Sequence, residues 1–155
     1  MEQEYCLFAK CKLFAKLIKD GEIVDYGLVS TKKVTQAFIE YIVDSLQNST
    51  SAPMDVFKYH DSGTGTNGES NADTALQTPT GVARATGTQI EGAAADQYKT
   101  VATITYDGSY AVTEHGVFSA SSSGTLMDRS VFSAINVENG NQIEFTYQIE
   151  FTPEA

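Results

Sequence analysis

Apolar and polar residues alternate without a break from Gln142 to Phe151. Ile143, Phe145, Tyr147, Ile149 and Phe151 fall on one side, and Gln142, Glu144, Thr146, Gln148 and Glu150 on the other. A period of two gives a β-strand one buried face and one wet face. Val131, Ser133, Ile135 and Val137 alternate in the same way upstream. Between the two runs lies Asn139-Gly140, the pair a tight hairpin turn prefers because both central positions need positive φ. Residues 130–152 thus predict a hairpin, with Phe145, Tyr147 and Ile149 inside. A hairpin alone is marginal in water, so the rest of the chain must cover its apolar face.

Residues 5–18 fit two periods. Tyr5, Leu7, Ala9, Cys11, Leu13, Ala15 and Leu17 make a strand face, while Leu7, Cys11, Phe14 and Ile18 make a helix face. Asp20-Gly21 is a turn, and Val24, Tyr26 and Leu28 alternate after it, which favours strand for the second half of the segment. Ser30 or Thr31 can then cap a helix, although Lys32 and Lys33 oppose its dipole. Val34, Phe38, Ile42 and Leu46, joined by Ile39 and Val43, form a broad apolar stripe that predicts one helix near residues 34–47. Residues from Asn48 to Pro53 end it.

Val56 to His60 reads as a short strand. Residues 61–96 are rich in Gly, Thr, Ser, Asn and Ala and poor in large apolar side chains. A segment of that composition is either pinned against a partner or partly stranded around Val82 to Ile90. Val101 to Tyr106 and Tyr110 to Thr113 flank Asp107-Gly108, which predicts a further hairpin. A Ser- and Gly-rich turn separates Glu114–Phe118 from Leu126–Arg129. Short strands with turn chemistry between them predict a mainly β fold: an antiparallel β-sandwich, jelly-roll or immunoglobulin-like, with the one helix packed on it.

At 155 residues the chain reads as a single domain, residues 1–155, with an N-terminal arm over 1–18 and a long polar loop region over 61–96. Its formal net charge of -10 argues against nucleic acid as a partner, since phosphate binding needs clustered Lys and Arg. Most basic residues sit in the first third, which reads as a solvated face. The two cysteines, Cys6 and Cys11, fall on opposite faces of a strand and read as buried free thiols. An acidic start and the interruptions by Lys10, Lys12 and Lys16 read as no secretory leader, and no segment is apolar enough to span a membrane. The Asn48-Ser49-Thr50 sequon then carries no meaning.

Gly63-Thr64-Gly65-Thr66-Asn67-Gly68 has the spacing of a dinucleotide-binding fingerprint. That fingerprint needs a helix N-terminus aimed at a pyrophosphate, and no apolar helix follows here, so the stretch reads as loop and no cofactor is expected. His60-Asp61 and Glu114-His115 could meet and bind a metal or act as acid and base. Nothing in their spacing requires it and no nucleophile motif accompanies them, so structural polar contacts are expected instead, with no catalytic or metal residues. Glu114 and Arg129 are each the charged member of a strand-like stretch. They are expected to form a buried bidentate ion pair that fixes the register of two neighbouring strands.

Four stretches carry a resemblance. They are Phe57-Lys58-Tyr59-His60-Asp61-Ser62-Gly63-Thr64-Gly65, Arg84-Ala85-Thr86-Gly87-Thr88-Gln89, Thr113-Glu114-His115-Gly116-Val117-Phe118 and Thr125-Leu126-Met127-Asp128-Arg129-Ser130-Val131-Phe132. As a set they resemble small structural proteins of tailed bacteriophages, of the head decoration (cement) type, from about Leu17 to the end of the chain. The resemblance implies a non-enzymatic virion protein, made in the host cytoplasm, that binds the major capsid protein on the outside of the head. A homo-oligomer, with a trimer favoured, would suit the local threefold points of a shell. The resemblance supplies no catalytic residues. A tail fibre or baseplate adaptor is the alternative, disfavoured by the absence of heptads. A carbohydrate- or metal-binding β-domain is the third reading.

Overall fold

The computed structural model describes residues 7–31 and 34–153. Among these described residues nine strands form two antiparallel sheets packed face to face, with one α-helix. The larger sheet holds, in spatial order, β2 (Glu22–Ser30), β1 (Leu7–Lys19), β9 (Gln142–Pro153), β6 (Gln97–Thr105) and β5 (Thr88–Glu91). The smaller holds β4 (Ala85–Thr86), β3 (Tyr59–Gly63), β7 (Tyr110–Phe118) and β8 (Leu126–Val137). The mainly β sandwich expected from the alternation is the observed fold.

The core lies between the sheets. Ile143, Phe145, Tyr147 and Ile149 of β9 are fully buried, beside Leu13 and Ala15 of β1 and Ile104 of β6. Across from them Val112, Val117, Ile135 and Val137 of the smaller sheet are equally buried. A second, small apolar cluster of Leu76, Phe118 and Leu126, with Tyr59 against it, sits on the other side of the smaller sheet. There the 64–80 segment lies as a third layer.

Two expected hairpins are not hairpins. β8 and β9 flank Asn139-Gly140 but belong to different sheets, as do β6 and β7 on either side of Asp107-Gly108. Of these turn residues only Gly140 has positive φ, at 86°. Both connections are arches from sheet to sheet, and they bond to each other: Gly140 N–H donates to the Tyr106 carbonyl (2.8 Å) and Tyr106 N–H to that of Asn141 (2.9 Å). Period two runs along β9 from Gln142 to Tyr147, whereas β7 from Val112 to Phe118 and β8 from Leu126 to Ser130 are buried on both faces. In no case does the period say which strand is the neighbour. Asp20-Gly21 is a true hairpin turn, with φ of 52° and 79°, joining β1 to β2.

Three boundaries also move. From Leu7 onward the expected N-terminal arm is β1, paired along its whole length with β9; residues 1–6, including Cys6, lie outside the described residues. The helix α1 (Gln36–Gln47) is capped by Thr35 rather than Ser30 or Thr31. The Thr35 hydroxyl accepts from Phe38 N–H and donates to the Leu126 carbonyl, so the cap also ties α1 to β8. Ser30 is instead the last, buried residue of β2. The strand expected at Val56–His60 starts later, at Tyr59, after a 3₁₀ turn over Met54–Val56. Of α1's broad apolar stripe only Phe38 is fully buried, edge-on against Phe57.

Candidate functional site

Glu114 and Arg129 come together on the side of the smaller sheet that faces the 64–80 segment. Arg129 Nε lies 2.8 Å from Glu114 Oε2, and both side chains are shut off from solvent. The pair is not bidentate as expected. Each guanidinium nitrogen has its own target: Nη1 bonds Asp73 (3.1 Å), and Nη2 bonds the Asn67 side-chain oxygen (2.7 Å) and carbonyl (3.2 Å). Glu114 in turn accepts from the backbone N–H groups of Gly65 (3.1 Å), Gln77 (3.0 Å) and Thr78 (2.7 Å). Burial alone would raise the Glu114 pKa, but the N–H groups of Thr78 and Gln77 and the Arg129 guanidinium outweigh it and hold the carboxyl below its ordinary range. The pair does more than set strand register: it organises the polar loop from inside.

This arrangement accounts for the glycines that mimic a nucleotide fingerprint. A Cβ on Gly63 would run into Glu114 Oε1 and lie 2.5 Å from the Thr78 carbonyl, and one on Gly65 would lie 2.6 Å from Glu114 Oε1. The loop can approach the carboxylate only without side chains there. A second arginine repeats the device. Arg84 Nε bonds Asp61 (3.0 Å), its Nη1 bonds the carbonyls of Ala120 (2.8 Å) and Ser123 (2.7 Å), and its guanidinium sits 3.5 Å from the centre of the Phe118 ring. The 61–96 region is thus ordered by this chain's own buried charges, and it carries β4 and β5 within the part suspected of strand.

His60 and His115 also meet, on the inner face of the smaller sheet. His60 Nδ1 is 2.9 Å from His115 Nε2, and His60 Nε2 is 3.0 Å from the Thr100 hydroxyl. His115 Nδ1 has no partner among the described residues. A bare lone pair is cheaper to bury than an unbonded N–H, so the tautomers follow. His115 donates from Nε2 to His60 Nδ1, and His60 donates from Nε2 to Thr100. Both rings stay neutral: burial lowers the His60 pKa to about 3 and drives that of His115 well below normal. His115 also packs on Phe145, with ring centres 4.4 Å apart. Asp61 and Glu114, their sequence neighbours, point to the opposite face and bond the two arginines. Among the described residues no group of three or more His, Cys, Asp or Glu could hold a metal ion.

One buried cluster carried no sequence signal. The Asp128 carboxyl is fully buried on the core side of β8; its Oδ1 accepts from Ser130 (2.7 Å), while Oδ2 has no partner among the described residues. Burial first of all raises its pKa to about 7, against the Ser130 hydrogen bond and with help from Glu69. Burial and the Asp128 charge push the nearby Cys11 thiol to about 12, so Cys11 is an inert buried thiol, as its place on β1 anticipates. Only the pairing of β1 and β9 in one sheet, with β8 opposite, brings these groups together. No protein-family model matches the chain, and no curated protein matches it.

Proposed function

We propose that the protein is a non-enzymatic structural component of a tailed-phage virion: a head decoration protein that binds the major capsid protein on the outside of the shell as a homotrimer. The observation that carries this reading is how the polar side chains are used. Glu114, Arg129, Asp61, Arg84, His60 and His115 are the groups that chemistry would draw on, and each is sealed into internal contacts that hold a loop or a strand in place. The four stretches that carry the phage resemblance include β3, β4 and parts of β7 and β8, which meet in the smaller sheet around those contacts, and the start of β5 in the larger one. A trimer on a local threefold would gain avidity from several weak contacts at once. The net charge of -10 would keep decorated particles apart.

The test is to mix purified protein with undecorated heads and measure co-sedimentation, with sedimentation equilibrium giving the oligomeric state. Saturable binding to heads by a trimer is the expected result. Failure to bind heads, together with recovery on purified tails, overturns it in favour of a tail adaptor.

A further inference from the structure

We propose that the open end of the sandwich beside α1 is a docking groove for an apolar segment, flanked by lysine or arginine, of a partner protein. The proposal goes beyond head decoration and does not depend on it. Among the described residues, helix α1 packs by one edge, with Phe38 its one fully buried side chain. On its free side Ile39, Val43 and Leu46 stand at i, i+4 and i+7 and are 45%, 48% and 83% exposed. Single exposed apolar residues are ordinary, but a stripe that runs into a recess is not.

The recesses are there. One of about 300 Å³ lies between Ile39 and Val43 of α1 and Ile149 and Phe151 of β9. A second, of about 220 Å³, is almost wholly apolar; it shares Phe38, Ile149 and Phe151 with the first and runs to the exposed Met54. A third, of about 440 Å³, continues past Phe151 to Ile90. All three are lined by Phe151, so they succeed one another from the helix to the β5–β6 corner, a spacing suited to seating an amphipathic segment by separate anchors.

Charge selects the occupant. No described residue lining these recesses is Lys or Arg, while Glu91 and Asp96 line the third. Glu40 and Asp44 flank the stripe on α1 and Asp55 adjoins Met54, all exposed. Against these and the two lining carboxylates stand Lys10, Lys58 and Lys99, the chain neighbours of Ala9, Phe57 and Tyr98, so the surround carries more negative than positive charge. An acidic rim around apolar walls favours apolar anchors with cationic flanks. A second copy would bring the same carboxylates to the contact, and an anionic bilayer would be repelled.

The experiment titrates the isotope-labelled full-length protein with a leucine–lysine amphipathic peptide of about twelve residues, and with its leucine–glutamate counterpart, followed by NMR. Binding of the lysine peptide is expected, with shifts at Ile39, Val43, Met54 and Phe151. The uncharged double variant Ile39→Asn/Val43→Asn should weaken it about tenfold or more, and Glu40→Gln/Asp44→Asn should weaken it as well. Thermal melts check that the variants are folded, and Leu46→Asn, at the most exposed position, repeats the test if the double variant melts early. The proposal is overturned if both peptides bind alike, if shifts scatter over the acidic surface and survive the apolar substitutions, or if sedimentation shows self-association that those substitutions abolish. The last result would make a second copy the occupant.

Discussion

Glu114 shows what one buried charge can do for a loop that has no core of its own. Four donors converge on its two oxygens, three of them backbone N–H groups and the fourth Arg129. A segment of small polar residues cannot stabilise itself by burial, so its order must come from directed bonds to something rigid, here the centre of β7. Replacing Glu114 by Gln leaves the buried Arg129 only the partly exposed Asp73 as a counter-charge among the described residues, and replacing Arg129 by Met leaves the buried Glu114 carboxylate held by backbone N–H groups alone. Each should cost about 3–5 kcal/mol in denaturant melts, and the double variant should cost less than the sum. A coupling near zero would mean that the two act separately. Gly65→Ala should cost about 1–3 kcal/mol although it adds one methyl group, because that methyl meets Glu114 Oε1 at 2.6 Å.

At the scale of elements, identical dipeptides do different work. Asp20-Gly21 turns the chain back onto its neighbour, with both residues at positive φ, whereas Asp107-Gly108 carries the chain to the other sheet with neither. Gly21→Ala is therefore expected to cost about 1 kcal/mol through left-handed strain. Gly108→Ala should stay within about 0.5 kcal/mol, since the nearest atoms its Cβ would meet belong to the Tyr110 ring at 3.5 Å, an ordinary contact. Equal losses at both sites would show that the turns are alike after all. The comparison marks what was legible in the chain. Alternation gave the strand β9 with its buried side, and helical spacing gave α1. β8 was legible as a strand, but its alternation placed Val131 and Ser133 inside where Phe132 is the core residue, because the β7–β8 register shifts between Val131 and Ile135. The partner of each strand depends on contacts far along the chain, which local period does not encode. The same holds at the buried charges: Glu114 and Arg129 stand out as charges within strands, but Asn67, Asp73 and Gln77 sit in a loop without period. Asp128 and Cys11 each look ordinary in their own strand.

For the whole molecule, the buried titratable groups set how stability responds to pH, and they pull in opposite directions. His60 and His115 are neutral in the fold, with His60 at about 3 and His115 well below its ordinary 6.5. The unfolded chain binds protons that the fold refuses, so this stability is complete above about pH 6.5 and is lost as pH falls toward 3. Asp128 is the reverse case. Its carboxyl keeps its proton in the fold up to about pH 7 but only to 3.8 when unfolded, so its contribution is present below 3.8 and lost as pH rises through 7. Between about pH 4 and 6.5 the two histidines outweigh the one carboxyl by a single proton. These groups together then give a net slope of about 1.4 kcal/mol per pH unit, with stability falling as the solution is acidified. Asp128→Asn removes the opposing member while keeping the shape of the side chain. Its slope in that window should be about twice that of the wild type, and the variant should gain on the wild type steadily from pH 5 to about pH 7 and level off above it. Urea melts of both proteins at four pH values across that range measure the two slopes directly. Parallel lines would mean that Asp128 is ionised in the fold and that its burial does not govern its proton.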